Sequence, residues 1–438
     1  MPSLSAATLS LLLPALSLLL LVPSAAAEAS PPARLTVNGT ALLDPAAEAP
    51  PPARLTVNGT ALLDPSGNAV RLTGFNMGNH LHTGDAAYMQ QLLPGANVVR
   101  LVALMWDNTG NPSPDSDCMT STAPYIKETC LKRLDKQIEQ ITGKRGPSAP
   151  GVARTPTTAP PTPWVIITCR AKWGAGQDYD TDPASDVFHN ATLRSNMYAM
   201  WAHVAARYKP WEQIAAYEIM SEPRDKAATP DQVRGFYAGG CAAVHGVDAL
   251  TPCMVGPGPY YKLWDFDASI VLPGDTNVIY TFDYFQPTNY IFAKGTPAVS
   301  SYPGNYPCGS LYLNFASKCC ASLPGGATAT VAFDRSWHLN NFLKYAVALR
   351  EKAKVPVFMN QWSVVRNVAD SAGRLAFVAD VANLTQQLDI GWAWWVWRGD
   401  TPKGGSSAFV YYASNGSTIV EQGLVDAVKS HMSDSDAA

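Results

Sequence analysis

The fold is indicated first by one apolar stretch that ends in an acid and a proline, Ile214-Ala-Ala-Tyr-Glu-Ile-Met-Ser-Glu-Pro223. Its hydrophobic residues predict a buried strand, and the proline predicts where that strand stops. Side chains of like parity share one face of a strand, so Glu218 and Glu222 should point the same way. Barrel enzymes keep catalytic residues at the carboxyl ends of buried parallel strands. Glu222 is therefore a candidate catalytic acid, and a strand-end acid paired with an arginine is the alternative.

Strand-like and helix-like patterns alternate along the rest of the chain. After a predicted N-terminal β-hairpin that turns at Gly67-Asn68, eight strands are predicted, most of them separated by helices. Eight such units over about 330 residues suit a single α/β fold, a (β/α)8 TIM barrel with long insertions. A doubly wound open sheet is the alternative. The predicted strands cover 70–75, 97–104, 164–169, 214–222, 253–256, 277–283, 356–360 and 391–397.

Two helix starts are marked by capping residues. Asn190 is a predicted N-cap for a helix over 191–208. The stretch Thr229-Pro-Asp-Gln232 has the form of a capping box with proline at the first helical position. It predicts a helix that runs to about His245.

Charge and composition exclude some classes of partner. The 438 residues carry a formal net charge of −3 at pH 7. This near balance does not favour nucleic acid or an anionic membrane through bulk electrostatics. The chain has no Gly-rich nucleotide motif and no Cys/His spacing typical of zinc, so neither a metal nor an organic cofactor is implied. We expect a monomer.

The N-terminus predicts a secreted, extracellular protein. Residues 9–22 are almost entirely apolar and are followed by Ala25-Ala-Ala27, so 1–27 are predicted to be a signal peptide. Residues 26–45 and 46–65 are nearly the same twenty residues twice. We expect 28–50 to be a poorly ordered duplicated segment and 51–430 to be the folded domain, without membrane association after cleavage. Sequons compatible with glycosylation lie at Asn38, Asn58, Asn190, Asn383 and Asn415.

The eight cysteines fit a protein with disulfides. Three couples, each twelve residues apart, are predicted to pair locally. These are Cys118 with Cys130, Cys241 with Cys253, and Cys308 with Cys320. Cys319 is a rival partner for Cys308, and Cys169 is expected to be a buried thiol.

Several motifs together resemble glycoside hydrolase family 5, the cellulase and mannanase family. The resemblance covers about residues 51–425 in order, and it implies a (β/α)8 fold and retaining chemistry by two carboxylates about 5 Å apart. It also implies a β-linked glucan or mannan as substrate. The motifs are Leu55-Thr-Val-Asn-Gly-Thr60, Val70-Arg-Leu-Thr-Gly-Phe-Asn-Met-Gly78, Asn97-Val-Val-Arg-Leu101, Tyr217-Glu-Ile-Met-Ser-Glu-Pro223 and Gly391-Trp-Ala-Trp-Trp-Val-Trp397.

The resemblance implies roles for individual residues. Glu222 takes the position of the general acid/base, and Arg100 the position that orients the nucleophile. Trp395 matches the tryptophan that forms the floor of the sugar subsite. The second catalytic position falls at Gln361, and a neutral amide cannot act as a carboxylate nucleophile.

Three further positions depart from the family pattern. Ser221 replaces an asparagine, Asp283 replaces the histidine of a His-x-Tyr motif, and Arg170 lies near an expected histidine. Asp283, at the end of the sixth strand, is the best candidate for a replacement carboxylate. It could be the nucleophile in place of Gln361, or a base at longer distance in an inverting enzyme. In a third interpretation Asp283 pairs with Arg170 and stabilises the loops.

Side chains near the strand ends complete the predicted substrate-binding set. Trp106 and Trp362 are candidates to stack on sugar faces, with ordinary packing as the alternative. Tyr284, Arg170 and Ser221 are included because they lie beside the predicted acids. Glu218 lies deeper in its strand and is expected to be a structural acid, paired with Arg100 or another arginine.

The sequence thus predicts a secreted glycosidase that cleaves O-glycosidic bonds of a β-linked polysaccharide, with Glu222 as general acid/base. The alternative is a family member that binds glycan without hydrolysing it, because Gln361 occupies the nucleophile position.

Overall fold

A computed structural model describes thirteen parts of the chain. The predicted signal peptide and the duplicated segment, 1–27 and 28–50, lie outside them. The described residues are 54–77, 81–107, 118, 120–143, 162–172, 187–223, 225, 227–293, 299–311, 320–368, 370–399, 407–412 and 417–432.

Eight parallel strands form a closed barrel, which confirms the predicted (β/α)8 fold. The last strand pairs with the first through Trp392 opposite Thr73, so the open-sheet alternative is wrong. The central strands are buried along their whole length, as expected for a parallel sheet covered by helices. The eight strands are Thr73–Met77, Val98–Asp107, Trp164–Lys172, Ile214–Glu218, Cys253–Val255, Val278–Tyr284, Val357–Trp362 and Gly391–Trp394.

Helices lie between the barrel strands, and two of them begin where the capping residues predict. The Asn190 side chain accepts hydrogen bonds from the backbone of Thr192 and Leu193. Thr229 and Gln232 form the capping box reciprocally, with Pro230 at the helix start. Both predictions are confirmed. The helices are Asp85–Leu92, Glu128–Thr142, Ala191–Tyr208, Pro230–His245, Thr288–Ile291, Cys308–Leu311, Arg335–Asn341, the π-helical Phe342–Val347, Ala348–Ala353, Ser371–Gln387 and Gln422–Lys429.

The N-terminal hairpin is present, and it has one turn more than the sequence predicts. Its strands, Thr56–Asn58 and Ala61–Leu63, pair across a turn at Gly59, whose φ of 58° is one that glycine adopts readily. The predicted turn at Gly67-Asn68 is also present: the Gly67 N–H donates to the Asp64 backbone oxygen at 2.9 Å, the Asp64 N–H donates to the Asn68 backbone oxygen at 2.8 Å, and an isolated bridge joins Leu63 and Ala69. Leu62 of the hairpin and the preceding Leu55 pack on the floor of the barrel, in one cluster with Leu72, Val98, Ile166, Ala215, Ala216, Met254, Ile279, Phe358 and Ala393.

Short strands extend the structure beyond the barrel. Gly304–Pro307 pairs with Thr330–Phe333 inside the long insertion that follows the sixth barrel strand. Arg398–Gly399, Val410–Tyr412 and Thr418–Val420 form a small sheet after the eighth. Among the described residues, no helix combines the length and hydrophobicity that a bilayer crossing requires.

Two of the three predicted disulfides are confirmed, Cys118–Cys130 and Cys308–Cys320. The predicted Cys241–Cys253 bond is wrong, because both residues are free, buried thiols joined by a hydrogen bond. Cys241 lies on the helix Pro230–His245 and Cys253 on the next strand, where a thiol packs as a small apolar group. Cys169 is also a buried free thiol, as expected.

Candidate active site

Glu218 is held in a buried ion pair with Arg100. The guanidinium Nε and Nη2 lie 2.6 and 2.9 Å from the two carboxylate oxygens, and both side chains are fully buried. Thr168 and Asn360 donate two further hydrogen bonds to the same carboxylate. Burial alone would lower the pKa of Arg100, but the charge and hydrogen bonds of Glu218 raise it above its usual value. Glu218 is therefore a compensated structural acid, as expected.

Arg100 also fixes the end of the fourth strand. Its remaining hydrogen bonds go to Asn76 Oδ1 at 2.5 Å and to Ser221 Oγ at 2.7 Å. Ser221 is the residue before Glu222, so this contact anchors the backbone that carries the candidate acid. Among the described residues no hydrogen bond joins Arg100 to Gln361, and its role in orienting that position stays a prediction.

The fourth strand ends at Glu218 and not at Glu222 as predicted, so Glu222 lies four residues beyond it, in an unusual backbone conformation. Its φ of 49° is in the left-handed region, where a residue with a Cβ is strained. One carboxylate oxygen is 2.8 Å from Arg170 Nη2, and the other is 3.0 Å from Gln361 Nε2. The Glu222 side chain is 13% exposed, so the group is close to solvent without being open to it.

Asp283 meets Glu222 at the same point. Gln361 Nε2 lies 3.0 Å from Asp283 Oδ2, and a side-chain hydrogen bond joins the two acids directly. Burial, followed by the charge and hydrogen bond of Glu222, raises the pKa of Asp283 well above its usual range. Within the described residues Asp283 Oδ1 has no hydrogen-bond partner.

These contacts decide between the interpretations of Asp283. Arg170 pairs with Glu222, so the interpretation that Asp283 pairs with Arg170 is wrong. The two carboxyl oxygens bonded to Gln361 are at most about 6 Å apart, because each lies 3.0 Å from one nitrogen. The hydrogen bond between the acids makes them closer still, so their separation is shorter than the about 5–5.5 Å of retaining enzymes and far shorter than the about 6.5–9.5 Å of inverting ones. The inverting interpretation is not supported.

A β-bulge brings Gln361 to the two acids. The register of the seventh strand against the sixth runs from Met359 opposite Phe282 to Gln361 opposite Asp283, so Asn360 is an extra residue. In a regular strand consecutive side chains point to opposite faces. Here Asn360 donates to Glu218 while Gln361 donates to Glu222 and Asp283. One bulge therefore positions a donor for each of two acid clusters, the Glu218 cluster and the cluster of Glu222 with Asp283.

The predicted aromatic contacts have different outcomes. Trp362 is fully buried between Trp392 and Trp394, with ring centroids 5.3 and 4.9 Å away, so its predicted stacking on sugar is not supported. Tyr284 is also fully buried, with its hydroxyl 2.6 Å from His338 Nδ1. Both side chains pack in the layer around the barrel.

Trp395 remains at the site. It is half-buried, and the Arg170 guanidinium lies 5.8 Å from the centre of its ring. Arg170 therefore contacts both the Glu222 carboxylate and this ring. The side chain of Trp106 lies outside the described part of the chain.

Sequence reasoning missed the polar residues that support the acids, Asn76, Thr168 and Asn360. The Asn76 amide donates to the backbone oxygen of Asn360 at 3.0 Å and so holds the bulged strand to the first strand. A polar side chain inside an otherwise apolar strand was the available signal. The partner of both Asn360 and Thr168 is Glu218, which is 142 residues from Asn360 and 50 from Thr168 in the sequence.

Comparison with known proteins gives one family. The family model described as Cellulase (glycosyl hydrolase family 5) matches residues 63–401. Endoglucanase C of Acetivibrio thermocellus is 22% identical over 242 residues, which are 51% of this chain and 64% of that protein. Endoglucanase C307 of Clostridium sp. (strain F1) has the same values. The chain thus spans 64% of the length of these curated relatives.

Solved structures show the same fold. A Thermotoga maritima Cel5A structure in complex with cellobiose has a TM-score of 0.56 and 16% identity, and covers 82% of this chain and 97% of its own. A complex of Thermotoga maritima Cel5A with mannotriose has a TM-score of 0.55, 15% identity and the same two coverages.

Proposed function

Because the chain belongs to glycosyl hydrolase family 5, we propose that it hydrolyses O-glycosidic bonds of a β-linked glucan or mannan. In this proposal Glu222 is the general acid/base and Asp283 is the second carboxylate. The observation that carries it is the contact of these two acids at the carboxyl ends of the barrel strands, with Gln361 Nε2 3.0 Å from each. The names of the relatives, endoglucanases, and the cellobiose and mannotriose of the solved complexes support the substrate class.

The chemistry requires one proton and one negative charge between two carboxyl groups. The raised pKa of Asp283 supplies the proton in the free protein, since Asp283 stays protonated where an ordinary carboxyl would ionise. The ion pair with Arg170 favours the ionised form of Glu222. Moving the proton across the hydrogen bond that joins the acids leaves Glu222 protonated and Asp283 ionised. That is the state in which the first step begins.

In the first step Glu222 protonates the glycosidic oxygen, and the Asp283 carboxylate bonds to the anomeric carbon as the leaving sugar departs. In the second step Glu222 takes a proton from water, whose oxygen attacks the anomeric carbon and releases Asp283. Glu222 ends protonated, so the pair regains its single proton. Gln361 acts as a positioning residue, because its amide nitrogen donates to both acids without adding charge.

The secreted location is part of the proposal. The two disulfides, Cys118–Cys130 and Cys308–Cys320, support it because disulfides persist in oxidising compartments. We also infer one folded domain over about 51–430, a range that contains the family match to residues 63–401.

The test is an assay of the purified protein on β-glucans, β-mannans and aryl β-glycosides. The wild type is expected to hydrolyse at least one of them. Glu222→Ala and Asp283→Asn should each lower kcat by about 10²–10⁴-fold, the usual contribution of a positioned acid or base. Glu351→Ala is the matched control, since Glu351 is a glutamate on the surface between Arg350 and Lys354. Wild-type activity that survives Asp283→Asn would remove Asp283 from the mechanism.

Glycan binding without hydrolysis is the second candidate, and the neutral side chain of Gln361 is the observation that favours it. The variant Gln361→Glu separates the two. If Asp283 is the second carboxylate, a third acid beside it should lower the activity. If the chain only binds glycan, the wild type is inert, oligosaccharide binding is measurable by calorimetry, and Gln361→Glu should create activity.

A further inference from the structure

A cavity lies at the end of the barrel opposite to Glu222. It has a volume of about 650 Å³, within the range of small-molecule sites. The N-terminal hairpin and the turn after it form one wall, and the amino ends of several barrel strands form the other. We call it the basal cavity, and its lining includes Thr60, Asp64, Asn97, Trp164, Gln213 and Asp389.

Gln213 is a buried amide that the protein leaves unused. It precedes the fourth barrel strand and is 3% exposed. Its backbone oxygen accepts a hydrogen bond from Val165 at 2.9 Å. Its side chain lines the cavity, and the side-chain amide forms no hydrogen bond within the described residues. This amide is therefore available to an occupant of the cavity. An occupant of the cavity with hydroxyl groups would satisfy both the donor and the acceptor of this amide.

Trp164 supplies an aromatic surface beside this amide. Its side chain is half-buried and packs against the cluster on the barrel floor. Its backbone nitrogen donates to Asn97 at 2.8 Å, which fixes the residue at the start of the third strand. In the described structure the indole N–H has no hydrogen-bond partner. The ring is therefore held in place while its one donor stays available.

The wall opposite is fixed before any ligand binds. The Arg54 guanidinium lies 2.9 Å from Asp248 in an ion pair whose side chains are each 1% exposed, and Tyr217 donates to the same carboxylate. This pair ties the start of the hairpin to the barrel. Asp64 accepts hydrogen bonds from the backbone of Ser66 and Asn68 and so holds the following turn.

We propose that the basal cavity binds a short, uncharged oligosaccharide of the β-linked polymer that is the proposed substrate. An aromatic ring next to unpaired amide and N–H groups suits a ligand that has apolar C–H faces and many hydroxyl groups. An anionic ligand is less suited, because the lining carries Asp64 and Asp389, and because Arg71 already donates to the backbone oxygens of His431 and Met432. The choice of this polymer rests on the proposed function, but binding here does not require hydrolysis at Glu222.

The test is calorimetry with cellotetraose and mannotetraose in a Glu222→Gln background, so that turnover does not consume the ligand. We expect two binding events for one of the two ligands. Gln213→Leu should weaken one of them by about tenfold, the value of one or two lost hydrogen bonds. Gln137→Leu is the matched control, since Gln137 is another buried glutamine, 4% exposed, on the helix Glu128–Thr142, and it should change neither event.

Trp164→Phe is a second variant, which keeps an aromatic ring and removes the N–H, and it should weaken the same event. A single binding event that both variants weaken also supports binding in the basal cavity. It would mean that the site at Glu222 has no measurable affinity for the oligosaccharide. If every binding event is the same in both variants as in the control, the inference is overturned. Loss of the proposed function would appear separately, as a wild type that hydrolyses nothing.

Discussion

Glu218 and Glu222 lie four residues apart on one strand and its extension, yet their surroundings are opposite. Glu218 faces a guanidinium that binds both of its oxygens, and two neutral donors complete its shell. Glu222 shares its site with a second acid, and its cation, Arg170, is 26% exposed. The first acid is neutralised within the protein. Among the described residues, Glu222 and Asp283 together have one arginine, Arg170, as their ion-pair partner. Such a pair of acids retains a proton that can be used in catalysis.

The largest difference between the clusters should be in stability. Arg100→Met leaves Glu218 buried without its cation, which should lower the free energy of unfolding by about 3–5 kcal/mol. Chemical denaturation of the variant and the wild type at pH 7 measures it. The double variant Arg100→Met/Glu218→Gln should recover part of the loss, because no buried charge remains. A single variant as stable as the wild type would mean that Glu218 is not compensated by Arg100.

The Asp283 pair should instead show a dependence on pH. The pKa of Asp283 is raised in the folded protein, so between the unfolded and the folded pKa the folded state binds one proton more. Its contribution to stability is complete below the unfolded pKa and is lost as pH rises through the folded pKa. Across this window the free energy of unfolding falls by about 1.4 kcal/mol per pH unit.

Asp283→Asn removes this proton, so the stability of the variant relative to the wild type should increase from about pH 4 upward. Denaturation curves at several pH values, with the surface variant Asp426→Asn as control, measure the difference. Parallel pH profiles for Asp283→Asn and the wild type would contradict the raised pKa.

The smallest expected change concerns Gln361, which links the two regions through the bulged strand. Gln361→Leu keeps a side chain of similar volume and removes the donor shared by Glu222 and Asp283, which should cost about 1–3 kcal/mol of unfolding free energy. Gln422→Leu, on an exposed helix where Gln422 bonds Asp426, should cost much less. Equal losses in the two variants would show that Gln361 does not hold the acids together.

The sequence was informative wherever a local pattern has one structural solution. The alternation of strands and helices predicted the barrel, and the caps at Asn190 and Thr229 marked their helices to the residue. The ion pair of Glu218 with Arg100 was also expected, because a buried acid requires a cation. Equal spacing of cysteines was less reliable, since Cys241 and Cys253 share their spacing with two real disulfides and remain thiols.

By itself the sequence determined the fold class, the position of Glu222 after the fourth strand and the departure at Gln361, because hydrophobic periodicity and residue identity are local. Only the tertiary structure decided which side chains contact each other at the site. The bulge at Asn360 turns two consecutive side chains toward the two acid clusters, which strand periodicity would not predict. The tertiary structure also buries Trp362 in the core and pairs Arg170 with Glu222 and not with Asp283. Contacts between distant strands depend on register and packing around the whole barrel, and no single stretch of sequence contains that information.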